Sequence, residues 1–169
     1  MTMNFRYPTF RRSHPIISLG GRYSRPRPVI SVTLIGPSHS APLDALLDTG
    51  ADETVFPDYV AASLGIDLTN APVGEAQGVG GRPLPLRYAN LTLRIADKNE
   101  RREWPAVVAF APLQGRLPML GFAGFLQFFT ACYLDILSKE CVLSGAQDTG
   151  GNHGSQGFFC SIEDNRRRD

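Results

Sequence analysis

The chain has 169 residues and a formal net charge of +1, with 43% hydrophobic and 20% charged residues. That is the size and balance of one ordinary globular domain with room for tails, not of a disordered chain. Near-neutrality excludes a strong overall pull toward nucleic acid or anionic membrane, and no run approaches the ~20 apolar residues that span a bilayer.

Residues 1–27 carry Arg6, Arg11, Arg12, Arg22, Arg25 and Arg27, and no Asp or Glu precedes Asp44. This stretch reads as an extended, partly ordered basic arm. An Arg-rich organelle-targeting segment is the alternative, whereas a secretory signal lacks its apolar region. PVISVTLIG (28–36) is rich in β-branched residues and predicts a strand, followed by a turn at 37–40. APLDALLD (41–48) predicts a second strand, TVFP (54–57) a short strand or turn, and DYVAASLGI (58–66) a short helix ended by Gly65. Residues 74–96 begin glycine-rich and become strand-like, with clean alternation in ANLTLRIA. A polar turn over 96–103 leads to a strand in WPAVVAFAPL (104–113), an apolar LPMLG (117–121) and a short helix in FAGFLQFF (122–129). TACYLDI, LSKE and CVLSG form a closing hairpin, and residues 145–169 read as a disordered tail. Seven or so short strands with little helix make this a mainly β domain over 28–144, flanked by the arm 1–27 and the tail.

Asp-Thr-Gly occurs twice, at 48–50 and at 148–150. A tripeptide of such common residues is a weak signal, so its setting decides. Ala45, Leu46 and Leu47 lead a strand into Asp48, and Gly50 allows the tight turn that holds a carboxylate still. Asp148 lies among Ser, Gly, Ala, Gln and Asn, with nothing to bury or fix it.

LLDTGADETVF (46–56) resembles the active-site segment of the retropepsin-like, retroviral-type aspartic proteases. Gln77-Gly78-Val79-Gly80-Gly81 stands where that family has its glycine-rich flap. Met119-Leu120-Gly121, followed by Phe122 to Phe129, stands where it has a late apolar-apolar-Gly segment and a short helix. LGFAGFLQFF is similar to bacterial members. The resemblance implies a retropepsin-like closed β-barrel, the acid protease fold, with one short helix toward the C-terminal end. One feature departs. The family usually has Arg or another polar residue after the late glycine, where this chain has Phe122. In relatives that arginine can pair with the acid corresponding to Asp52. Arg82, Arg87 and Arg116 are the candidate substitutes.

Bilobal relatives carry two loops on two domain-sized lobes, and only a short tail follows Asp148. One chain therefore supplies one loop, and the resemblance implies a homodimer acting on an extended peptide or protein. Two carboxylates ~3 Å apart hold one proton between them. The ionised member takes a proton from water and the protonated member polarises the scissile carbonyl, so the reaction needs no cofactor and no metal. By resemblance, Asp48, Thr49 and Gly50 are catalytic. Ala51, Asp52, Glu53 and residues 77–81 (Gln77, Gly78, Val79, Gly80, Gly81) bind substrate. Nucleic acid and membrane are not expected partners. The alternative is a retropepsin-like dimerisation or peptide-binding module without turnover. Three cysteines, an odd number with no Cys-x-x-Cys, fit a reducing compartment, so a cytoplasmic location is expected.

Overall fold

In the computed structural model, residues 2–77, 81 and 83–145 are described. The strands are β1 (Thr2–Arg6), β2 (Thr9–Ile16), β3 (Arg22–Pro26), β4 (Val29–Ile35), β5 (Ser40–Leu47), β6 (Val55–Pro57), β7 (Val73–Ala76), β8 (Leu84–Ala96), β9 (Arg101–Ala111), β10 (Met119–Leu120), β11 (Ala131–Asp135) and β12 (Glu140–Ser144). The helix α1 (Asp58–Leu64) follows β6. Gly65 closes it in the left-handed region at φ 79°, where a side chain would be strained, and Ile66 N donates to Ala61 O at 2.9 Å.

The largest sheet runs β4-β5-β10-β6-β9-β8-β7, and β4 also pairs with β8, so six of its strands form a closed circuit. The mainly β fold expected from the strand pattern is borne out. Alternation on β4 and β8 sends Ile30, Val32, Leu34, Leu91, Leu93 and Ile95 into one core, where Phe56 and Phe110 meet at 6.4 Å between ring centroids. A smaller cluster of Val55, Leu86, Ala109, Ala111 and Leu113 lies on the other side of β6, β8 and β9.

Residues 96–103 turn more tightly than their polarity suggests. β8 continues through Ala96, β9 starts at Arg101, and Asp97 Oδ1 accepts from the backbone N–H groups of Asn99 and Glu100 at 2.8 Å. The expected helix over 122–129 shrinks to one 3-10 turn, Leu126–Phe128. Its aromatics serve packing instead. Phe125, Phe128 and Phe129 surround Trp104 at 5.5–5.6 Å, and Trp104 Nε1 donates to Gly124 O at 3.2 Å.

The closing hairpin forms as β11 and β12, with Cys132 opposite Leu143 and Cys141 opposite Leu134, so the two thiols are diagonal neighbours. The N-terminal arm is extended, and it forms three strands. β1 adds to the outer side of β12 with Met3 fully buried, and β2 pairs with β3 as a separate two-stranded ribbon. Of the tail expected over 145–169, residues 146–169, with the second Asp-Thr-Gly, lie outside the described residues.

Candidate active site

β5 delivers the first Asp-Thr-Gly. It pairs along its length with β4, and Ala45 and Leu47 are buried. Three backbone bonds pin its end from two directions. Leu46 N donates to Pro118 O at 2.9 Å, Asp48 N to Leu120 O at 3.1 Å, and Leu47 N to Pro28 O at 2.8 Å. Beyond the strand the chain turns on its own aspartate. Gly50 N donates to Asp48 Oδ1 at 3.0 Å and Ala51 N to Asp48 O at 3.2 Å. Asp48 is half-buried, while Thr49 and Gly50 are exposed. One carboxylate oxygen is thus fixed by the turn, on a loop whose tip faces outward.

The loop is held from behind by β10 and the residues after it. β10 lies parallel to β5 and antiparallel to β6, filling the gap that the Asp48 loop crosses. Phe122 N donates to Ala51 O at 2.9 Å, Ala123 N to Asp52 O at 2.8 Å, and Thr54 N to Ala123 O at 3.1 Å. Gly121 is required here by close approach. A Cβ on it would meet the Glu53 carbonyl, and would lie 2.7 Å from Ala51 O. The apolar-apolar-Gly spacing read from the sequence therefore has a steric cause. Thr54, fully buried, accepts from Gly121 N through Oγ1 at 3.2 Å.

Among the residues expected to line the site, Asp52 is exposed and Glu53 is half-buried. Glu53 Oε1 accepts from the Tyr88 hydroxyl at 3.2 Å, and burial, with the Glu53 charge and hydrogen bond, raises the Tyr88 phenol above its ordinary range. The ring reaches Glu53 by passing Gly74, where a Cβ would lie 2.7 Å from a ring carbon. β7 and β8 pair as a hairpin from Val73–Arg87 to Ala76–Leu84; Gln77 and Gly81 are exposed, and Gly78, Val79 and Gly80 lie outside the described residues. Of the candidate substitutes for the family arginine, Arg87 donates to Leu68 O and Thr69 O instead, and Arg82 lies outside the described residues. Neither Asp52 nor Arg116 is in an ion pair among the described residues.

Tyr88, Thr54 and Arg27 belong to this neighbourhood and were missed by the sequence reading. Tyr88 depends on a glycine across the sheet and leaves no local signal. Thr54 is the one polar side chain leading an apolar run, TVFP, and that signal was available. Arg27 ends the basic arm beside Pro28, whose carbonyl holds Leu47. Burial lowers its guanidinium pKa, the charges of Arg25 and Arg12 lower it further, and the Asp48 carboxylate opposes them.

A closed, mainly β sheet that carries Asp-Thr-Gly at a strand end, backed by an apolar-apolar-Gly strand, defines an aspartic protease domain. The profile of the family described as aspartyl protease matches residues 30–121, and the chain belongs to that family. The resemblance read from residues 46–56 is borne out at the level of the family. A retropepsin-like aspartic protease from Rickettsia conorii is similar in structure, with 14% identity and a TM-score of 0.49, covering 85% of this chain and 91% of that one. EIAV protease, solved with the inhibitor HBY-793, is 23% identical with a TM-score of 0.34, covering 57% of this chain and 82% of that one. No curated protein matches the sequence.

Proposed function

We propose that this chain is an aspartic endopeptidase active as a homodimer, with Asp48 from each copy forming the catalytic pair. The observation that carries the reading is the Asp48 loop itself. Its carboxylate is fixed by Gly50 N, its strand is pinned on both sides, and Thr49 and Gly50 are left exposed on the same tip. Among the described residues no second carboxyl hydrogen-bonds this carboxylate, and a two-fold axis supplies one, because a C2 contact places the same residue opposite itself.

In the dimer the two Asp48 carboxylates share one proton. The ionised member accepts a proton from a water, whose oxygen attacks the scissile carbonyl carbon. The protonated member gives its proton to the carbonyl oxygen, forming a neutral diol. The diol collapses as the carboxyl that took the water proton passes it to the leaving amine and the other carboxylate takes a proton back from the diol. Thr49 hydrogen-bonds across the axis. Gly50, Ala51, Asp52 and Glu53 meet an extended peptide, with Tyr88 orienting the Glu53 carboxylate, and the hairpin around residues 77–81 closes over it as a flap.

The test is cleavage of a peptide library at mildly acidic and neutral pH by wild type and Asp48→Asn, at high micromolar protein so that a weak dimer is populated. Cleavage by wild type that is lost in the variant is the expected result. A dimer of confirmed mass in which neither protein cleaves supports a peptide-binding module instead. That second reading is favoured by Phe122, 62% exposed directly after Gly121 where relatives carry a polar residue.

A further inference from the structure

The β2–β3 ribbon has no part in the chemistry above, and it is unusual in three respects. First, it stands apart as a two-stranded sheet that pairs with no other strand among the described residues. An isolated ribbon of this kind is marginal unless something covers it. Second, its faces differ. Phe10 pairs with Arg25, and alternation along β3 puts Tyr23 on the same face as that pair. The register breaks between Arg11 and Ile16, so Arg12 lies at the bulge, near enough to Arg27 for its charge to act on that guanidinium. The Arg27 guanidinium joins them, 5.7 Å from the Phe10 ring centroid. Arg25 and Arg27 thus share this face with two aromatic rings, and Arg12 at the bulge adjoins them. The opposite face carries Thr9, Arg11, Arg22, Ser24 and Pro26, two arginines with no aromatic ring beside them. Third, internal counter-charge is scarce: the Asp48 carboxylate acts on Arg27, at one end of the face. No acid precedes Asp44 in the sequence, and Arg12, Arg25 and Arg27 are in no ion pair among the described residues.

Position gives the charge a use. The ribbon leads through Arg27 into Pro28, whose carbonyl accepts from Leu47 N next to Asp48. One end of the basic face is thus at the catalytic loop and the rest leads away from it. Like charges held together repel unless a partner of opposite sign is supplied. The net charge of +1 gives no long-range attraction to a polyanion, so the partner is one delivered to this place by something else, and a peptide engaged at Asp48 is so delivered. The free ribbon edges also offer backbone groups to an extended chain.

We infer that the basic face of the β2–β3 ribbon is an exosite for an extended acidic segment of the substrate, flanking the bond presented to Asp48. The inference rests on the peptidase reading for its substrate, and its test does not rest on turnover. The probes are two fluorescein-labelled ten-residue peptides, one alternating Glu with Val and one alternating Gln with Val. Binding is read by anisotropy on full-length Asp48→Asn protein, which separates capture from cleavage. The Glu peptide is expected to bind about tenfold tighter than the Gln peptide at low salt, with the advantage shrinking as ionic strength rises. Arg12→Gln with Arg25→Gln removes the advantage. Arg12→Glu with Arg25→Glu transfers it to a peptide alternating Lys with Val, a gain that an unfolded variant would not mimic. Equal binding of the Glu and Gln peptides overturns the exosite, as does a Glu preference that survives the double Gln variant. A single-stranded DNA oligomer that binds through the same arginines more tightly than the Glu peptide overturns it in favour of nucleic acid. If the preference holds while wild type cleaves no peptide, the ribbon stands as a binding site for acidic peptides and the peptidase reading fails.

Discussion

Thr54 has no exposed surface, and its polar groups are spent on the backbone behind Asp48. Its N–H donates to Ala123 O at 3.1 Å, its carbonyl accepts from Ala109 N at 2.9 Å, and its hydroxyl accepts from Gly121 N at 3.2 Å. The last bond satisfies an N–H that packing leaves no room to hydrate, since Gly121 already touches the backbone of Glu53 and Ala51. Thr54→Val keeps the shape and removes the acceptor. An unpaired buried donor costs about 1–3 kcal/mol, and chemical unfolding should show a loss of that size with an unchanged m-value. Activity, per folded molecule, is expected to fall further than stability alone accounts for, because the strained element is the strap that holds Ala51 and Asp52. A Thr54→Val protein with wild-type stability would show that the Gly121 N–H finds another acceptor.

At the scale of elements, β5 and its loop were legible because the residues that shape them are adjacent in sequence, although distant strands hold them in place. Leu46 and Leu47 end a strand, Gly50 permits the turn, and the aspartate caps its own turn through Gly50 N. The arm was legible as extended and basic but not as three strands, because β1 finds its partner at the far end of the chain, where Thr2 pairs with Ser144. Nor does alternation identify β1, where Met3 is the single fully buried residue. The late helix failed for a related reason. Its apolar residues suit a helix by spacing, yet the Trp104 ring draws Phe125, Phe128 and Phe129 to itself from different directions. The β1-β12-β11 sheet carries its own titratable weak point. Tyr7, just after β1, is 8% exposed, and its hydroxyl has no hydrogen-bond partner among the described residues. Burial pushes the phenol up to about 12, with the neighbouring Cys141, Cys132 and Asp135 charges acting the same way. Below pH ~10 both folded and unfolded chains keep the proton, so Tyr7 adds no pH dependence there. Between about 10 and 12 the unfolded chain releases it while the folded chain retains it, so stability falls as pH rises, by at most ~1.4 kcal/mol per pH unit. Tyr7→Phe should flatten that part of the alkaline slope and leave stability near neutral pH unchanged or slightly higher, since the lost hydroxyl has no bond to break. Urea unfolding of both proteins at pH 8 and pH 11 measures the difference, and equal slopes would place the hydroxyl in contact with water.

At the scale of the whole molecule, the proposed site of two identical loops would make activity a property of pairs rather than of chains. Wild type mixed with an equal amount of Asp48→Asn, and left to exchange subunits, distributes at random over three kinds of dimer. About a quarter of the dimers are then wild type on both sides, by the symmetry of a C2 assembly. A hybrid has one carboxylate and one amide, and cannot share a proton between two acids. Activity of the mixture is therefore expected at about a quarter of that of wild type at the same total concentration, and independent active monomers would give half. Dilution of wild type alone should lower activity per chain and lower the thermal midpoint together, because dimerisation and stability are linked by mass action. Activity that stays at half in the mixture, and constant per chain on dilution, would mean that one Asp48 loop is enough and that its acidic partner lies within the same chain. The second Asp-Thr-Gly, at 148–150, would then be the first place to substitute.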